Sequence, residues 1–253
     1  MARGHHSAAH RLRGAPLLDL GAGTGRFTGL LHEWSGIPIV AVEPAPKMRR
    51  ELATKRVPGL VGVLGAAGEA LPLPDGSIGG VWLSQVVHHF DDLPVAVAEL
   101  RRVTCPGGHV LVRGAFDRDP NGPPNTESAL HGRFFPDAIA YARRRFPSRE
   151  RLREVFGRAG LAIATEVSVE YVIAPTLEDY AARVRLRADS TLTAIDDHAF
   201  ERGMAALDEA VHLSPPGPPV VETLSLLVFV ASRRKQLHAS SSDDGDTSTA
   251  NCV

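Results

Sequence analysis

An apolar segment that runs directly into a glycine-rich turn constrains the fold of this chain more than any other feature. Residues 16–20 (PLLDL) have the composition of a buried strand, and GAGTG at 21–25 leads into a helix-compatible stretch at 26–31. The glycines permit a tight turn and close approach of a ligand, and the helix start presents free N–H groups. A second strand pattern at 37–42 ends at Glu43, about where nucleotide-binding folds place an acid for ribose hydroxyls. These residues predict a nucleoside cofactor in an α/β fold.

The spacing of the glycines limits which class of cofactor the turn is expected to bind. A dinucleotide fingerprint is G-x-G-x-x-G, whereas this turn is G-x-G-x-G, and the Lys-Ser/Thr pair of a P-loop does not follow it. Asp19, just before the turn, would repel a pyrophosphate but could accept hydrogen bonds from an ammonium group. S-adenosylmethionine (SAM) carries such a group, together with a carboxylate, at its amino-acid end.

Four segments between residues 17 and 114 resemble a known enzyme family. LLDLGAGTGRF at 17–27 resembles the first motif of the class I SAM-dependent methyltransferases, and EPAPKM at 43–48 resembles the second. GEALPLPDGSI at 68–78 and ELRRVTCPGG at 99–108 are similar to two further motifs of the ubiquinone/menaquinone-biosynthesis branch, the methyltransferase type 11 family. In this family the acid of the second motif holds both ribose hydroxyls, and a following methionine packs on adenine.

The resemblance implies a doubly wound, Rossmann-like sheet of seven strands, mostly parallel with the last strand antiparallel, and a helical insertion that covers the substrate. It implies SAM as the cofactor and no metal. The residues expected to bind the cofactor are Asp19, Gly21, Ala22, Gly23, Glu43, Pro44, Met48, Gly68, Glu69, Ser84 and Gln85.

Three features depart from the family pattern. Relatives often carry an aspartate where this chain has Ala67, so we expect the adenine contact to come from backbone or from Glu69. The acid usual at the position of Gly79 is also missing, which predicts an unconventional start of the fourth strand. Residues 1–16 precede the first strand, fewer than relatives use to cover the substrate, so we expect a lid from elsewhere.

The order of the patterns predicts one methyltransferase domain at residues 15–235, between a flexible leader at 1–14 and a disordered tail at 236–253. A strand is predicted at 81–87, and a helix begins after Ser148 and stops at Gly160. Strands at 161–174 and 220–231 match the antiparallel pair that closes the family's sheet, and 177–211 reads as mostly helical. The variable segments 115–147 and 176–219 are expected to face the substrate.

Composition agrees with a single globular enzyme. Hydrophobic residues make up 43% of the chain and its net charge is −1, so no global field favours nucleic acid or an anionic membrane. No apolar run reaches the roughly 18–20 residues of a membrane helix, and no signal peptide is evident. Cys105 and Cys252 provide no disulfide framework, and a cytoplasmic location is expected.

His88 and His89 are the candidate catalytic residues. They follow the fourth strand, at the carboxyl edge where open α/β sheets bind ligands, and histidine has a suitable pKa for removing a proton from an acceptor. The alternative is that one of them packs against the sheet. Arg143 to Arg145 could meet an anionic substrate or form a solvated helix face, and the aromatic residues at 134, 135 and 141 could line a pocket or belong to the core.

Three functions remain open from the sequence. The first is transfer of a methyl group to an oxygen, nitrogen or carbon of a small organic molecule. The second is methylation of a nucleic acid or protein, which the near-neutral charge and the sequence SQVVH at 84–88 disfavour, because DNA amino-methyltransferases have Asn/Asp-Pro-Pro-aromatic there. The third is a SAM-binding protein that moves no methyl group, because fold does not determine reaction. Oligomeric state is undetermined.

Overall fold

A computed structural model describes residues 14–116, 120–213 and 217–232. Its centre is a seven-stranded sheet with strand order β3-β2-β1-β4-β5-β7-β6, in which β7 pairs antiparallel with both of its neighbours and the other pairs are parallel. The predicted fold class is therefore confirmed. The strands are β1 (Leu17–Leu20), β2 (Ile39–Val42), β3 (Leu60–Leu64), β4 (Ile78–Ser84), β5 (Thr104–Gly114), β6 (Leu161–Ala174) and β7 (Val220–Ala231).

Nine α-helices and one short 3-10 helix (Val87–His89) accompany the sheet in the described residues. Side-chain caps begin several of them: Asp92 accepts from the N–H of Val95 at 3.0 Å, and Ser148 accepts from that of Arg151 at 3.1 Å. The helices are α1 (Thr28–Ser35), α2 (Pro46–Thr54), α3 (Leu93–Val103), α4 (Glu127–Phe134), α5 (Pro136–Arg145), α6 (Arg149–Arg158), α7 (Leu177–Arg185), α8 (Ser190–Thr193) and α9 (Asp197–Leu213).

The strand order reverses between β1 and β4, and this reversal locates the ligand site. The chain moves outward from β1 through β2 to β3, then returns to the other side of β1 as β4. In open α/β sheets the crevice at the carboxyl ends of the strands flanking such a point binds ligands. The glycine turn after β1 and the two histidines after β4 both lie at this edge.

The two largest of the four apolar clusters in the described residues are a sheet core and a core between helices. The larger packs α3 and α6 against the sheet, with Leu100, Leu152 and Phe229 fully buried. The second joins α4, α5, α7, α8 and α9 around Tyr180 and Leu207, and we call these helices, residues 127–145 and 177–213, the cap. The segments predicted to face the substrate thus supply a helical layer with a core of its own.

The structure differs from the sequence predictions mainly at element ends. β6 and β7 have the predicted bounds, whereas β4 spans Ile78–Ser84 instead of 81–87. Two features shift it: Ile78 pairs with Thr104 of β5, and Gln85 has a positive φ of 57°, which ends the strand. β3 was not predicted, and α1 begins at Thr28 rather than at 26.

The predicted leader and tail fall almost wholly in residues 1–13 and 233–253, which lie outside the described residues, as does Cys252. Within the described ranges, the structure contains no helix of the length and apolarity that crossing a bilayer requires.

Candidate functional site

The glycine turn after β1 is held by backbone bonds to the neighbouring strand. The N–H groups of Gly21 and Ala22 donate to the carbonyl of Val42 at 2.8 and 3.1 Å. Gly21 has φ +71°, and a Cβ at this position would lie 2.5 Å from Cγ2 of Val86. Gly23 also has a positive φ, +58°, but a Cβ there would meet nothing within 4 Å. The turn is therefore packed on one side and open on the side where a ligand can approach.

Glu43 joins the glycine turn to the end of β2. Its carboxylate is 5% exposed and accepts from the N–H of Gly23 at 2.8 Å through Oε2 and from that of Ala45 at 2.8 Å through Oε1. Arg49 of α2 donates to the backbone carbonyl of Glu43 at 2.8 Å, which holds the loop in place. Each carboxylate oxygen keeps a second lone pair for an outside donor, as binding of two ribose hydroxyls requires.

Asp19 lies beneath the turn rather than at its surface. The side chain is 3% exposed, and Oδ2 accepts a hydrogen bond from the hydroxyl of Thr28 at 2.7 Å. Burial raises the pKa of Asp19 to about 6; the bond from Thr28 opposes this shift and the negative charge of Glu43 adds to it. Contact between Asp19 and a cofactor ammonium group stays a prediction.

The remaining residues predicted to bind the cofactor lie after β2, at Pro44 and Met48, and in the loop before β4, at Gly68 and Glu69. Gly68 packs so closely on Phe90 that a Cβ would lie 2.4 Å from Cε1 of the ring. Glu69 accepts from the N–H of Asp91 at 2.8 Å, so its carboxylate ties two loops together. Pro44 and Met48 are exposed, with Met48 at 48%, which leaves apolar surface available to a flat ring.

A cavity of about 410 Å³ opens beside the glycine turn. Most of its polar lining is ionisable, and it lies between the carboxyl edge of the sheet and the cap. Its described lining residues are Arg26, Gln85, His88, His89, Glu127, His131, Phe146, Arg183, Val184, Leu186, Ala188, Asp189, Ser190 and Leu192.

The two predicted catalytic histidines differ in environment. His88 is 5% exposed, and its ring stacks on Phe146 with centroids 3.9 Å apart and planes 10° apart. His89 is exposed, and its backbone carbonyl accepts from Arg145 at 3.2 Å. Partial burial of the ring lowers the pKa of His89, the charge of Arg145 lowers it further, and Glu43 opposes the shift. The lowered pKa favours the neutral form of the His89 imidazole, which is the form that accepts a proton.

Ser84 and Gln85 occupy different positions although they are adjacent. The hydroxyl of Ser84 accepts from Nη1 of Arg113 at 3.0 Å, and Ser84 is absent from the described cavity lining. Gln85 lines the cavity and holds the left-handed φ of 57°. A non-glycine residue in that region is uncommon and costs free energy, which marks Gln85 as a residue whose position the surrounding structure enforces.

Sequence analysis did not identify several of the residues that line the cavity. Glu127 and His131 are one helical turn apart on α4, 7% and 1% exposed, and both line the cavity. Thr126 is the N-cap of this helix, and the i, i+4 spacing of Glu127 and His131 in the sequence indicates that both side chains lie on one face of it. Phe146 and Asp189 lie in connections between helices, where the sequence carried no comparable signal.

The described residues fit a SAM-type ligand. The open side of Gly23, the paired Glu43 carboxylate and the exposed apolar surface at Met48 suit, in order, a methionine backbone, a ribose and an adenine ring. The described residues contain no group of three or more His, Cys, Asp or Glu side chains suited to a metal ion.

Comparisons with known proteins agree with this geometry. Residues 18–112 match a family described as a methyltransferase domain. Malonyl-[acyl-carrier protein] O-methyltransferase of Serratia marcescens is 42% identical over 98 residues, which cover 39% of this chain and 37% of that enzyme. Demethylmenaquinone methyltransferase of Thermus thermophilus is 29% identical over 174 residues, covering 60% of this chain and 76% of that enzyme. The chain thus spans little more than a third of the Serratia relative.

Solved structures share the fold at low sequence identity. The crystal structure of the [4+2]-cyclase SpnF superposes with a TM-score of 0.56 at 17% identity, covering 87% of this chain and 76% of that one. Together with the four motifs, these matches show that residues 18–112 are a methyltransferase domain of the class I SAM-dependent type, and the solved structures share the fold of the described chain.

Proposed function

We propose that this protein transfers a methyl group from SAM to a small, polar organic molecule. One observation carries the proposal: the Glu43 carboxylate is bonded to the glycine turn, and Arg26, the residue after that turn, lines a cavity of about 410 Å³. A cofactor held at the turn would therefore face a bound acceptor. The cavity has the size of a small-molecule site, and its ionisable lining suits a polar ligand.

In the proposed reaction, residues at the glycine turn bind the cofactor and residues of the cavity act on the acceptor. SAM, when bound, supplies a methyl group on a positively charged sulfur. Glu43 binds the ribose hydroxyls, and Gln85 orients groups at the boundary between turn and cavity. His89, whose lowered pKa favours the neutral imidazole, accepts a proton from the acceptor's oxygen, nitrogen or acidic carbon, and the cap excludes water. Alignment of this kind contributes on the order of 7–11 kcal/mol to methyl transfer.

The identity of the acceptor depends on the cap. The family match ends at residue 112, so it includes Gln85, His88 and His89 but none of the lining residues from Glu127 onward. Two relatives with this domain are named for different acceptors, a malonyl-acyl carrier protein and demethylmenaquinone. We infer that the cap residues of this chain select an acceptor of their own.

A second candidate is a SAM-binding enzyme that moves no methyl group. The fold similarity to a [4+2]-cyclase favours it, because that neighbour is named for a different reaction. The cofactor-binding residues would be the same in both cases. Only the product separates the two candidates.

The first experiment is isothermal titration of the purified protein with SAM, S-adenosylhomocysteine (SAH) and NADH. We expect micromolar binding of the first two and none of the third, because the turn lacks the dinucleotide spacing. Methyl-labelled SAM with pools of small metabolites then reports transfer. Absence of SAM and SAH binding would refute the proposal, and binding without a labelled product from any pool would support the second candidate.

Variants of Glu43 test the cofactor site within the same experiment. Glu43→Gln keeps one acceptor oxygen and the side-chain size, so we expect a folded protein with SAH affinity at least tenfold weaker. Glu51→Gln, an exposed acid on the adjacent helix α2, is the control and should bind SAH as the unmodified protein does. Equal affinities in all three proteins would mean that Glu43 does not contact the ribose.

A further inference from the structure

A second, smaller cavity adjoins the cavity of the candidate site. Its volume is about 170 Å³, and Phe146 lines both cavities. Its lining combines Ala115, which directly follows β5 at the carboxyl edge of the sheet, with residues of α5 in the cap. The smaller cavity therefore lies at the same boundary between sheet and cap as the larger one. We call it the α5 cavity.

One face of α5 supplies most of the lining of the α5 cavity. Ile139, Ala142, Arg143 and the C-cap Phe146 recur at i, i+3, i+4 and i+7, the spacing of residues on one side of a helix. Ala115, Ile139 and Ala142 are 3% to 5% exposed, so the interior of the cavity is apolar. Transfer of an alkyl chain or an aromatic ring from water to such a surface is favourable.

Arg143 adds a positive charge to this apolar lining. The residue is exposed, and no carboxylate in the described part of the chain forms an ion pair with it, whereas Arg145 pairs with Asp91 at 3.4 Å. Ser148, the N-cap of α6, lines the same cavity, so the positive end of that helix dipole lies there too. Both features favour an anionic group, and a guanidinium binds a planar carboxylate through two parallel hydrogen bonds.

The relation between the two cavities limits the shape of the ligand. At about 30 Å³ for each methylene-sized group, the α5 cavity holds a chain of about six carbons. Phe146 stacks on His88, which lines the larger cavity together with His89. A ligand that passes Phe146 would have one end beside the histidines and its apolar part in the α5 cavity. A carboxylate at the end of that apolar part would then meet Arg143.

We propose that the α5 cavity binds the apolar chain and the terminal carboxylate of the methyl acceptor. This inference rests on the proposed function, since it places the reacting group of the acceptor in the larger cavity beside His89. It assigns the acceptor to the amphipathic organic acids, with a chain of about six carbons or an aromatic ring between the accepting atom and the carboxylate. Arg143 is then a residue that determines specificity for the acceptor.

The first test uses small amphiphiles as probes, without SAM or SAH. Ligand-observed NMR titration gives the dissociation constants of hexanoate, butyrate and hexanol. We expect hexanoate to bind about tenfold more tightly than butyrate, because two more methylene groups enter the apolar cavity. Hexanol has the same chain without the charge and should bind at least about fivefold more weakly than hexanoate.

Variants separate the role of the charge from that of the apolar lining. Arg143→Gln should weaken hexanoate binding about fivefold or more and change hexanol binding less than twofold. Ala142→Leu fills the cavity and should weaken binding of both ligands. Arg144→Gln removes the adjacent exposed arginine, which is outside the described lining, and should bind hexanoate within twofold of the unmodified protein. Ala115→Val narrows the cavity from the sheet side and replaces Ala142→Leu if that variant does not fold.

The second test asks whether the ligand of the α5 cavity is the acceptor. Methyl-labelled SAM is supplied with metabolite pools separated into organic acids, neutral compounds and amines. We expect labelled product from the organic acids, inhibition of its formation by hexanoate, and a higher KM for that pool in Arg143→Gln with little change in kcat. Label found only in neutral compounds or amines would overturn the inference and leave methyl transfer established.

Binding of SAH, measured on the same proteins, separates this inference from the function on which it rests. Absence of hexanoate binding in a protein that binds SAH would overturn the inference alone. Equal weakening of hexanoate and hexanol by Arg143→Gln, or equal weakening of hexanoate by Arg144→Gln, would also overturn it, since no specific contact with the carboxylate would remain. Failure of the unmodified protein to bind SAM and SAH would refute the proposed function, and the assignment of an acceptor with it.

Discussion

Asp19 is a buried carboxyl group whose ionisation opposes folding. In an unfolded chain an aspartate titrates near 3.8, whereas burial raises the pKa of folded Asp19 to about 6. The folded state therefore binds the proton more tightly, and the associated stability, present below pH 4, is lost as pH rises through 6. The shift corresponds to about 3 kcal/mol. The residue beneath the cofactor turn thus makes the fold less stable at neutral pH than in mild acid.

Asp19→Asn tests this effect. Asparagine keeps an oxygen that can accept from Thr28, but it does not ionise. The free energy of unfolding of the variant, relative to the unmodified protein, should rise by about 3 kcal/mol between pH 4 and pH 7.5, as measured by urea denaturation. Asp137→Asn, at an exposed site on α5, is the control. Parallel pH profiles for the Asp19 variant and the unmodified protein would contradict the prediction.

At the scale of the element, one arginine connects two of the segments that resemble family motifs, residues 68–78 and 99–108. Arg102 of α3 forms a forked pair with Glu99, with bonds of 2.6 and 2.7 Å. The same guanidinium donates to the carbonyls of Leu71 and Leu73 and to Asp75, at 2.8 to 2.9 Å. It therefore fastens the loop before β4 to α3, and its bonds hold the pKa of Glu99 below the usual value.

Substitution of Arg102 should loosen this loop. Arg102→Ala removes the donor of two carbonyls and of the Glu99 and Asp75 carboxylates, so we expect the free energy of unfolding to fall by about 2 kcal/mol, allowing for partial exposure. Arg102→Lys keeps the charge but not the planar fork, and should recover less than half of the loss. Arg50→Ala, at an exposed site on α2, should change stability by less than about 0.5 kcal/mol. A full rescue by lysine would mean that charge alone matters.

At the scale of the whole molecule, the cap and the sheet have different cores. The cap core surrounds Tyr180 and Leu207, and the main core surrounds Leu83, Leu100 and Phe229. Separate cores favour local unfolding, in which the backbone amides of the cap lose protection from hydrogen exchange while the sheet stays folded. An acceptor site between the two layers would gain access through such opening.

Hydrogen exchange tests whether the cap unfolds independently of the sheet. Leu207 is fully buried, so Leu207→Ala should cost about 3 kcal/mol. We expect faster exchange in α4, α7 and α9 and unchanged protection in β1 and β4. Leu83→Ala, in the sheet core, should instead accelerate exchange throughout the chain. Faster exchange in β1 caused by Leu207→Ala would show that the two layers unfold as one unit.

Local sequence determined much of the fold and one half of the site. The glycine turn, Glu43 and the histidines were readable because each occupies a fixed offset from a strand end, and short-range sterics dictate that geometry. Strands β6 and β7 were predicted with their observed bounds because their apolar and β-branched runs start directly after Gly160 and Pro219, and the first run stops at Pro175. The end of β4 was predicted too late, since the positive φ of Gln85 has no local signal.

Tertiary structure alone decided the other half of the site. Glu127, Phe146 and Asp189 are separated by tens of residues, yet they line one cavity with His88. Packing of the cap core brings them together, and no spacing in the sequence encodes a contact over that distance. Burial also decided the protonation of Asp19, since a carboxyl group titrates according to its surroundings. The half of the candidate site at the glycine turn could therefore be predicted from local sterics, whereas the half between the sheet and the cap exists only once the two layers have packed.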